Sequence, residues 1–237
     1  IYGPSLPIIL GLSEQPKVTS ERKLIPLKFR GMKVMSFGFL SDGDSPAIWR
    51  GPLVARMTEQ FFKDVIWGEL DYLVLDLPPG TGDVQLTLTQ KIKISGAIIV
   101  TTPQDIALAD VRKGANMFQK VNAPILGVIE NMSGFQIEGK IIDNKGNPLS
   151  GGTVQISEAE ETVVNEKGEF NLIIDLFKKG GGEKESDRLG VPLLGIIPIS
   201  QEVMKATDAG LPIVFDSPES VISKIYREIG DRIIQAL

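Results

Sequence analysis

The 237-residue sequence contains no cysteine and no histidine. Disulfide bonds, metal sites built from cysteine and histidine, and acid–base catalysis by an imidazole are therefore excluded for these residues. Any chemistry that the chain performs must use carboxylates, lysine or arginine, hydroxyl groups or the backbone. This restriction applies to every candidate site in the sequence.

Excess positive charge and long apolar runs are also missing. The 25 basic and 30 acidic residues leave a net charge of −5. This argues against nucleic acid as the main partner, because no basic excess is available to displace counterions. No apolar run reaches the roughly 18 residues that a membrane span needs, and no charged and apolar leader opens the sequence. We therefore expect a cytoplasmic protein that binds neither nucleic acid nor membranes.

The residues that are present predict a packed α/β fold. Apolar residues make up 42% and charged residues 23% of the sequence, which is typical of a globular core. Segments with helical periodicity alternate with apolar runs that are typical of buried parallel strands. This alternation indicates right-handed βαβ units in a mostly parallel, doubly wound sheet. The predicted buried strands lie at residues 71–77, 96–102, 124–132 and 191–198.

Residues 136–175 interrupt the α/β pattern. Short alternating segments, among them Thr153–Ser157 and Glu169–Ile174, are separated by turn residues such as those at 144–148. Such segments predict antiparallel strands at hairpin spacing. We therefore predict a small antiparallel β module inserted into one α/β domain, which residues 1–135 and 176–237 form. The module is weakly similar to part of carboxypeptidase-regulatory-like β-sandwich modules.

The predicted strand at 71–77 ends in a candidate ligand site. Asp76 lies at its carboxyl end, where two prolines and two glycines then force a tight loop. Ligands of open α/β sheets bind outside the carboxyl ends of the strands. A carboxylate here, with the backbone N–H groups of Gly80 and Gly82, suits a hydrated Mg²⁺ ion and a terminal phosphate. The alternative is that Asp76 only caps the loop.

Several motifs, in this order along the chain, resemble the Mrp (ApbC-like) family of P-loop ATPases within the MinD/ParA-like class. The resemblance covers about residues 1–135 and 176–237. Members of that family bind ATP and carry or deliver iron–sulfur clusters as dimers. The resemblance thus implies a P-loop NTPase-like fold, a homodimer, and iron–sulfur client or assembly proteins as partners. The matching segments are Tyr2–Ser5, Ile48–Pro52, Asp71–Asp83, Thr101–Gln104, Glu130–Ser133, Gly180–Lys184 and Ile197–Pro198.

The resemblance also implies roles on the phosphate side of a nucleotide site. Asp76 would be the Walker-B carboxylate that holds Mg²⁺ through water. Gly80, Thr81, Gly82 and Asp83 would form the switch that senses the γ-phosphate, and Asp83 would be the second catalytic residue because it can position water.

On the base side of that site, the resemblance implies that Asn131 recognises the adenine edge. An amide at a strand end offers both a donor and an acceptor to the base. The backbone near Pro198 would border the base. ATP and Mg²⁺ are the cofactors implied.

Two departures from the family pattern affect these expectations. The Gly-rich phosphate loop of the family precedes the segment that matches Tyr2–Ser5, so this chain starts after it. Its first strand and helix would be missing too, which would expose a core face. The family also places a Cys-x-x-Cys pair shortly after the segment that matches Asn131–Ser133. The β module stands there in this chain, and thiolate ligation of a cluster by these residues is impossible.

Two functional hypotheses follow. The first is an ATP-binding protein of the Mrp type that acts in iron–sulfur cluster assembly or transfer, with ATP hydrolysis left open. The alternative is a non-catalytic scaffold or binding protein, in which the nucleotide site has degenerated and the β module is an interaction surface. A MinD-like positioning role has less support, because the C-terminal segment Tyr226–Leu237 carries mixed charge instead of a basic membrane-binding face.

Overall fold

The computed structural model describes residues 5–40, 58–77, 85, 88–89, 92–157, 160–177 and 179–237. The chain divides into two compact units. The first comprises residues 1–97, 110–125 and 204–218, and the second comprises residues 98–109, 126–203 and 219–237. The α/β fold predicted from the sequence is confirmed, and strands alternate with helices over residues 97–140 and 169–208.

The helices follow local sequence signals. The helix at 105–120 begins with Asp105 and ends with Lys120, so each terminal charge opposes the helix dipole. The C-terminal helix begins after Ser220, whose hydroxyl oxygen accepts a hydrogen bond from the backbone N–H of Ser223 at 3.1 Å. The described helices are α1 (Ser5–Leu10), α2 (58–63), α3 (Asp105–Lys120), α4 (Gly181–Leu189), α5 (Gln201–Asp208), α6 (Ile213–Asp216) and α7 (Val221–Ala236), with a 3₁₀ turn at Phe37–Phe39.

The strands form one mixed sheet and two small antiparallel pairs. In the mixed sheet, β4 lies between β3 and β7 in the strand order and also pairs with β8. The antiparallel pairs are β1 with β2 and β5 with β6. The described strands are β1 (Leu27–Phe29), β2 (Met32–Val34), β3 (Ala97–Thr101), β4 (Ile125–Lys140), β5 (Thr153–Ser157), β6 (Glu160–Val163), β7 (Glu169–Ile174) and β8 (Leu193–Ile199).

Strand β4 is longer than the sequence predicted. The prediction ended this strand near Asn131, but it continues to Lys140. Its first half pairs with β8 in parallel, and from Phe135 it pairs with β7 antiparallel. The change of partner occurs at an irregularity in which Met132 has φ 55° and Gly134 has φ 77°. A bulge of this kind bends a strand and re-aims it, which lets β4 pair in parallel with β8 and antiparallel with β7.

The predicted antiparallel module is present in the second unit. The second half of β4 pairs with β7, and the β5–β6 hairpin lies against β7, where the Thr162 hydroxyl donates to the carbonyl of Asn171 at 2.9 Å. Val164 and Leu172 are buried. The antiparallel strands predicted in this stretch are therefore confirmed, and the domain boundary at 136–175 remains a prediction.

The prediction of a buried strand at 71–77 is wrong for this structure. These residues form no strand, and the side chains of Tyr72 and Val74 are 56% and 88% exposed. A parallel strand that is apolar on both faces needs a hydrogen-bonded neighbour and a covered face. No described strand pairs with this segment. Only Leu77, at its end, packs on the core of the first unit.

Each unit has its own apolar core. In the first unit, Met35, Phe37, Phe61, Val65 and Leu88 form a buried cluster. In the second unit, α7 packs on β8, and the core comprises Ile129, Leu194, Ile197 and Ile229. Among the described helices, none combines the length and the hydrophobicity that crossing a bilayer requires.

Candidate functional site

The carboxyl ends of β3 and β4 meet the first turn of α4 in the second unit. A Cβ atom added to Gly181 would lie 2.8 Å from the Cα and carbonyl oxygen of Pro103, which follows β3. A Cβ atom added to Gly182 would lie 2.7 Å from the Cβ of Glu130 in β4. Both distances are below van der Waals contact. The two glycines therefore let the positive end of a helix dipole approach the strand ends, where α/β sheets bind ligands.

Glu130 is the charged group of this site. Its side chain is 1% exposed. One carboxylate oxygen accepts the backbone N–H of Gly182 at 2.5 Å, and the other accepts the hydroxyl of Ser133 in a short hydrogen bond. A carboxylate can be buried here because both of its oxygens have donors and a helix N-terminus faces it.

Asn131 and Pro198, the two residues predicted to surround the base, lie on adjacent parallel strands. Asn131 is opposite Ile197 in the β4–β8 register, and Pro198 is the next residue of β8. The side-chain oxygen of Asn131 accepts the backbone N–H of Met132 at 2.9 Å. This bond orients the amide, whose nitrogen carries two donors. The structure therefore brings these two predicted residues together at one sheet edge.

A buried hydroxyl lies at the end of β3. The Thr101 hydroxyl donates to the carbonyl of Thr102 at 3.0 Å. The hydroxyl of Thr102 is buried and has no hydrogen-bond partner within the described part of the chain. Nearly all buried polar groups in proteins are paired, so such an atom indicates that a polar partner is missing. The sequence placed Thr101 and Thr102 at this strand end but did not distinguish their roles.

Of the residues predicted to bind Mg²⁺ and the phosphates, the structure describes only Asp76. Asp76 is exposed and lies in the first unit, in the segment that forms no strand. Gly80, Thr81, Gly82 and Asp83 lie outside the described residues. Among the residues that are described, no group of three or more carboxylates is placed to hold a metal ion. The roles predicted for these residues remain predictions.

The described residues fit part of a nucleotide. Asn131 offers hydrogen bonds suited to a base edge, and the unpaired hydroxyl of Thr102 can donate to a polar ligand atom. The chain does not contain the cysteine site for an iron–sulfur cluster that the resemblance implies. Where the cysteine pair was expected, β4 continues past its bulge to Lys140, and the sequence contains no cysteine.

Sequence reasoning missed Glu130 as a site residue. The sequence does contain an indication of its role, because Glu130 is a charged residue at the end of an apolar run that predicts a buried strand. Buried carboxylates are rare unless they are paired. Gly181 and Gly182 lie in a segment that matches the family, but sequence alone does not show which strand ends they approach.

Comparison with known proteins agrees with the geometry. The sequence matches the ParA family, described as NUBPL iron-transfer P-loop NTPase, over residues 1–144 and 156–234. It is 38% identical to an iron-sulfur protein required for NADH dehydrogenase, mitochondrial, from Arabidopsis thaliana, over 100% of this chain and 66% of that protein. It is 41% identical to an iron-sulfur cluster carrier protein from Pseudomonas fragi, over 97% of this chain and 70% of that protein.

A solved structure is similar as well. The nucleotide-binding protein from Archaeoglobus fulgidus, in complex with ADP, has 33% sequence identity and a TM-score of 0.61, over 88% of this chain and 70% of that chain. The chain spans about two thirds of the length of the Arabidopsis and Pseudomonas relatives. The family match covers well over half of the chain, and the fold agrees with it. The chain therefore belongs to the ParA family of NUBPL-type iron-transfer P-loop NTPases.

Proposed function

We propose that the chain binds ATP and acts in iron–sulfur cluster assembly or transfer. The observation that carries this proposal is the placement of Asn131 beside Pro198, at the carboxyl ends of β4 and β8. The proposal is supported by relatives named iron-sulfur cluster carrier protein and by a similar structure in complex with ADP. Iron–sulfur client or assembly proteins are then its partners.

On this proposal the base and the phosphates are bound by different segments. The amide of Asn131 hydrogen-bonds the adenine edge, and Pro198 borders the ring. Asp76 holds Mg²⁺ through water, and the switch of Gly80, Thr81, Gly82 and Asp83 contacts the terminal phosphate.

When bound, Mg²⁺ offsets the negative charge of the phosphates. We further propose that Asp83 positions water, that the protein hydrolyses ATP, and that it works as a homodimer in the cytoplasm.

Isothermal titration of the 237-residue chain with Mg·ATP tests nucleotide binding. We expect binding heat for the wild type and an affinity about tenfold lower for Asn131→Ala, which is the loss expected for one or two hydrogen bonds to the base. Asn116→Ala, at an exposed position of α3, is the matched control and should leave the affinity unchanged. Absence of heat with the wild type would reject ATP binding by these residues.

On the proposed function the protein carries an iron–sulfur cluster. This chain cannot ligate such a cluster through cysteine, because its sequence contains none. We therefore expect that anaerobic reconstitution of this chain alone with iron and sulfide yields no protein-bound cluster absorption after desalting. Stable absorption on the isolated chain would contradict this expectation and would show ligation by other groups.

The alternative proposal is a scaffold that binds partners through the β module. The absence of cysteine and the presence of antiparallel strands at the expected cluster position favour it. A pull-down that compares the full chain with a variant lacking residues 137–174 distinguishes the two. The scaffold proposal predicts loss of partners on deletion, and retention of every partner would reject it.

A further inference from the structure

Glu130 connects two structural elements, β4 and α4, and an irregular segment within β4, and no assigned role explains these contacts. Its backbone belongs to β4, one carboxylate oxygen accepts the Gly182 N–H of α4, and the other accepts the hydroxyl of Ser133. Ser133 lies between Met132 and Gly134, the two residues with positive φ where β4 changes partner. The carboxylate therefore holds a strand, an irregular backbone segment and a helix start together.

The irregular segment needs such support. Met132 adopts φ 55°, a left-handed conformation that carries a steric cost for residues with a side chain. A conformation of this kind persists only where surrounding contacts determine it. The hydrogen bond from Ser133 to the fully buried Glu130 is such a contact, since water has almost no access to the carboxylate.

This segment directly follows the residue expected to read the base. The side-chain oxygen of Asn131 accepts the N–H of Met132, so the direction of the Asn131 amide depends on the backbone at Met132. If the backbone at Met132 relaxes, the amide loses its orienting donor. The position of Asn131 is thus coupled through Met132 and Ser133 to Glu130.

We propose that Glu130 is the positioning residue of the base site, and that it sets adenine selectivity by fixing the Asn131 amide through Ser133 and the α4 start. The inference rests on the proposed function, because it assigns the origin of selectivity at that site. Glu130 does not touch the base; it acts through Asn131.

The test measures the ratio of the dissociation constants for Mg·GTP and Mg·ATP. A base-site defect changes this ratio, because the two nucleotides share ribose and phosphates and differ only in the base. We expect Glu130→Ala and the milder Ser133→Ala to weaken ATP binding about tenfold while GTP binding changes less than twofold. Glu130→Gln should retain most of the selectivity, because an amide can accept from Gly182 and donate to the Ser133 oxygen.

Glu185→Gln is the matched control. Glu185 is also completely buried in α4, but its carboxylate binds the Arg188 guanidinium at 2.5 and 2.9 Å. The same hydrogen bond raises the pKa of Arg188. We expect Glu185→Gln to lower thermal stability and leave the nucleotide ratio unchanged. An equal change of the ratio in this control, or no change in folded Glu130→Ala and Ser133→Ala, would overturn the proposal.

Hydrogen exchange separates this inference from the proposed function. We expect faster exchange of the backbone amides of Met132 and Gly182 in Ser133→Ala and Glu130→Ala, and wild-type exchange there in Glu185→Gln. Unchanged exchange in both site variants would reject the bracing role. If the wild type bound no ATP, the proposed function and the selectivity role would both fail, and the exchange result alone would decide whether Glu130 braces the segment.

Discussion

Gly181 and Gly182 occupy positions where a single methyl group has no room. For Gly181 the obstacle is the backbone of Pro103, 2.8 Å from the position of an added Cβ atom. Backbone atoms at a strand end move only if the strand end or the helix shifts. This makes Gly181 a sensitive probe of the contact between α4 and β3.

We predict that Gly181→Ala destabilises the protein by about 1–3 kcal/mol, the usual effect of overpacking. The matched control is Gly230→Ala in the middle of α7, where an added Cβ meets nothing within 4 Å. Because alanine is the better helix former, we expect the control to stabilise by up to about 1 kcal/mol. Urea denaturation followed by circular dichroism measures both. A neutral Gly181→Ala variant would contradict the close contact.

A second residue-scale prediction concerns pH. The hydrogen bonds from the side chain and then the backbone of Asn147, followed by the backbone N–H of Lys145, lower the pKa of Asp143. A carboxylate whose pKa is lowered by folding stabilises the folded turn above its unfolded pKa, and this stabilisation is lost as the pH falls through the lowered value. We therefore expect the protection factors of the Lys145 and Asn147 amides to decrease in acid, below the ordinary range of aspartate.

The same module contains the control for this measurement. The side-chain oxygen of Asn165 accepts the N–H groups of Lys167 and Glu169, in the same spacing as the Asp143 turn, but an amide does not titrate. We expect Lys167 and Glu169 to keep their protection factors over the same pH range. Parallel loss of protection in both turns would show general unfolding of the module instead of titration of Asp143.

At the scale of elements, α7 depends on a cap and on a contact with β8. The Ser220 hydroxyl accepts the Ser223 N–H, and first-turn N–H groups have no partner from the regular hydrogen bonds of an α-helix. We predict that Ser220→Ala costs about 1 kcal/mol of stability, measured by chemical denaturation, and that Ser220→Asp retains the cap. Equal stability of the alanine and aspartate variants would show that this hydroxyl does not stabilise the helix.

The bounds of some helices and strands follow from the sequence pattern, and those of others do not. The bounds of helix α3 agree with its sequence pattern, since Asp105 and Lys120 mark its ends and apolar residues recur at helical spacing. The predicted end of β4, near Asn131, is wrong. Residues 131–134 contain a glycine and polar residues, which read as a strand end, but the strand continues because a bulge lets it pair with β7.

At the scale of the whole chain, the structure suggests how to remove the β module. Phe135 and Ile174 are opposite each other in the β4–β7 register, so the first and last residues of the module lie side by side. A two-residue Asn-Gly turn suits such a pair of antiparallel strand ends. Val164 and Leu172 are buried within the stretch that would be removed.

We predict that replacing residues 136–173 with an Asn-Gly turn leaves a protein that unfolds in one cooperative transition, with Mg·ATP affinity within twofold of the wild type. Calorimetric unfolding and isothermal titration measure the two outcomes. A chain that is unfolded after this replacement would show that the module is part of the α/β domain and not an insertion.

The sequence by itself determined the fold class, the order of most of the described strands, the antiparallel module, the exclusion of thiolate chemistry, and the position of Asn131 and Pro198 at the ends of predicted strands. These follow from periodicity, turn residues, composition and motifs, which are local properties of the chain. Tertiary structure alone decided that 71–77 forms no strand here, that β4 passes through a bulge into the module, and that Glu130 joins Ser133 to Gly182. Strand formation and the burial of a carboxylate both depend on partners distant in sequence, which no local pattern specifies.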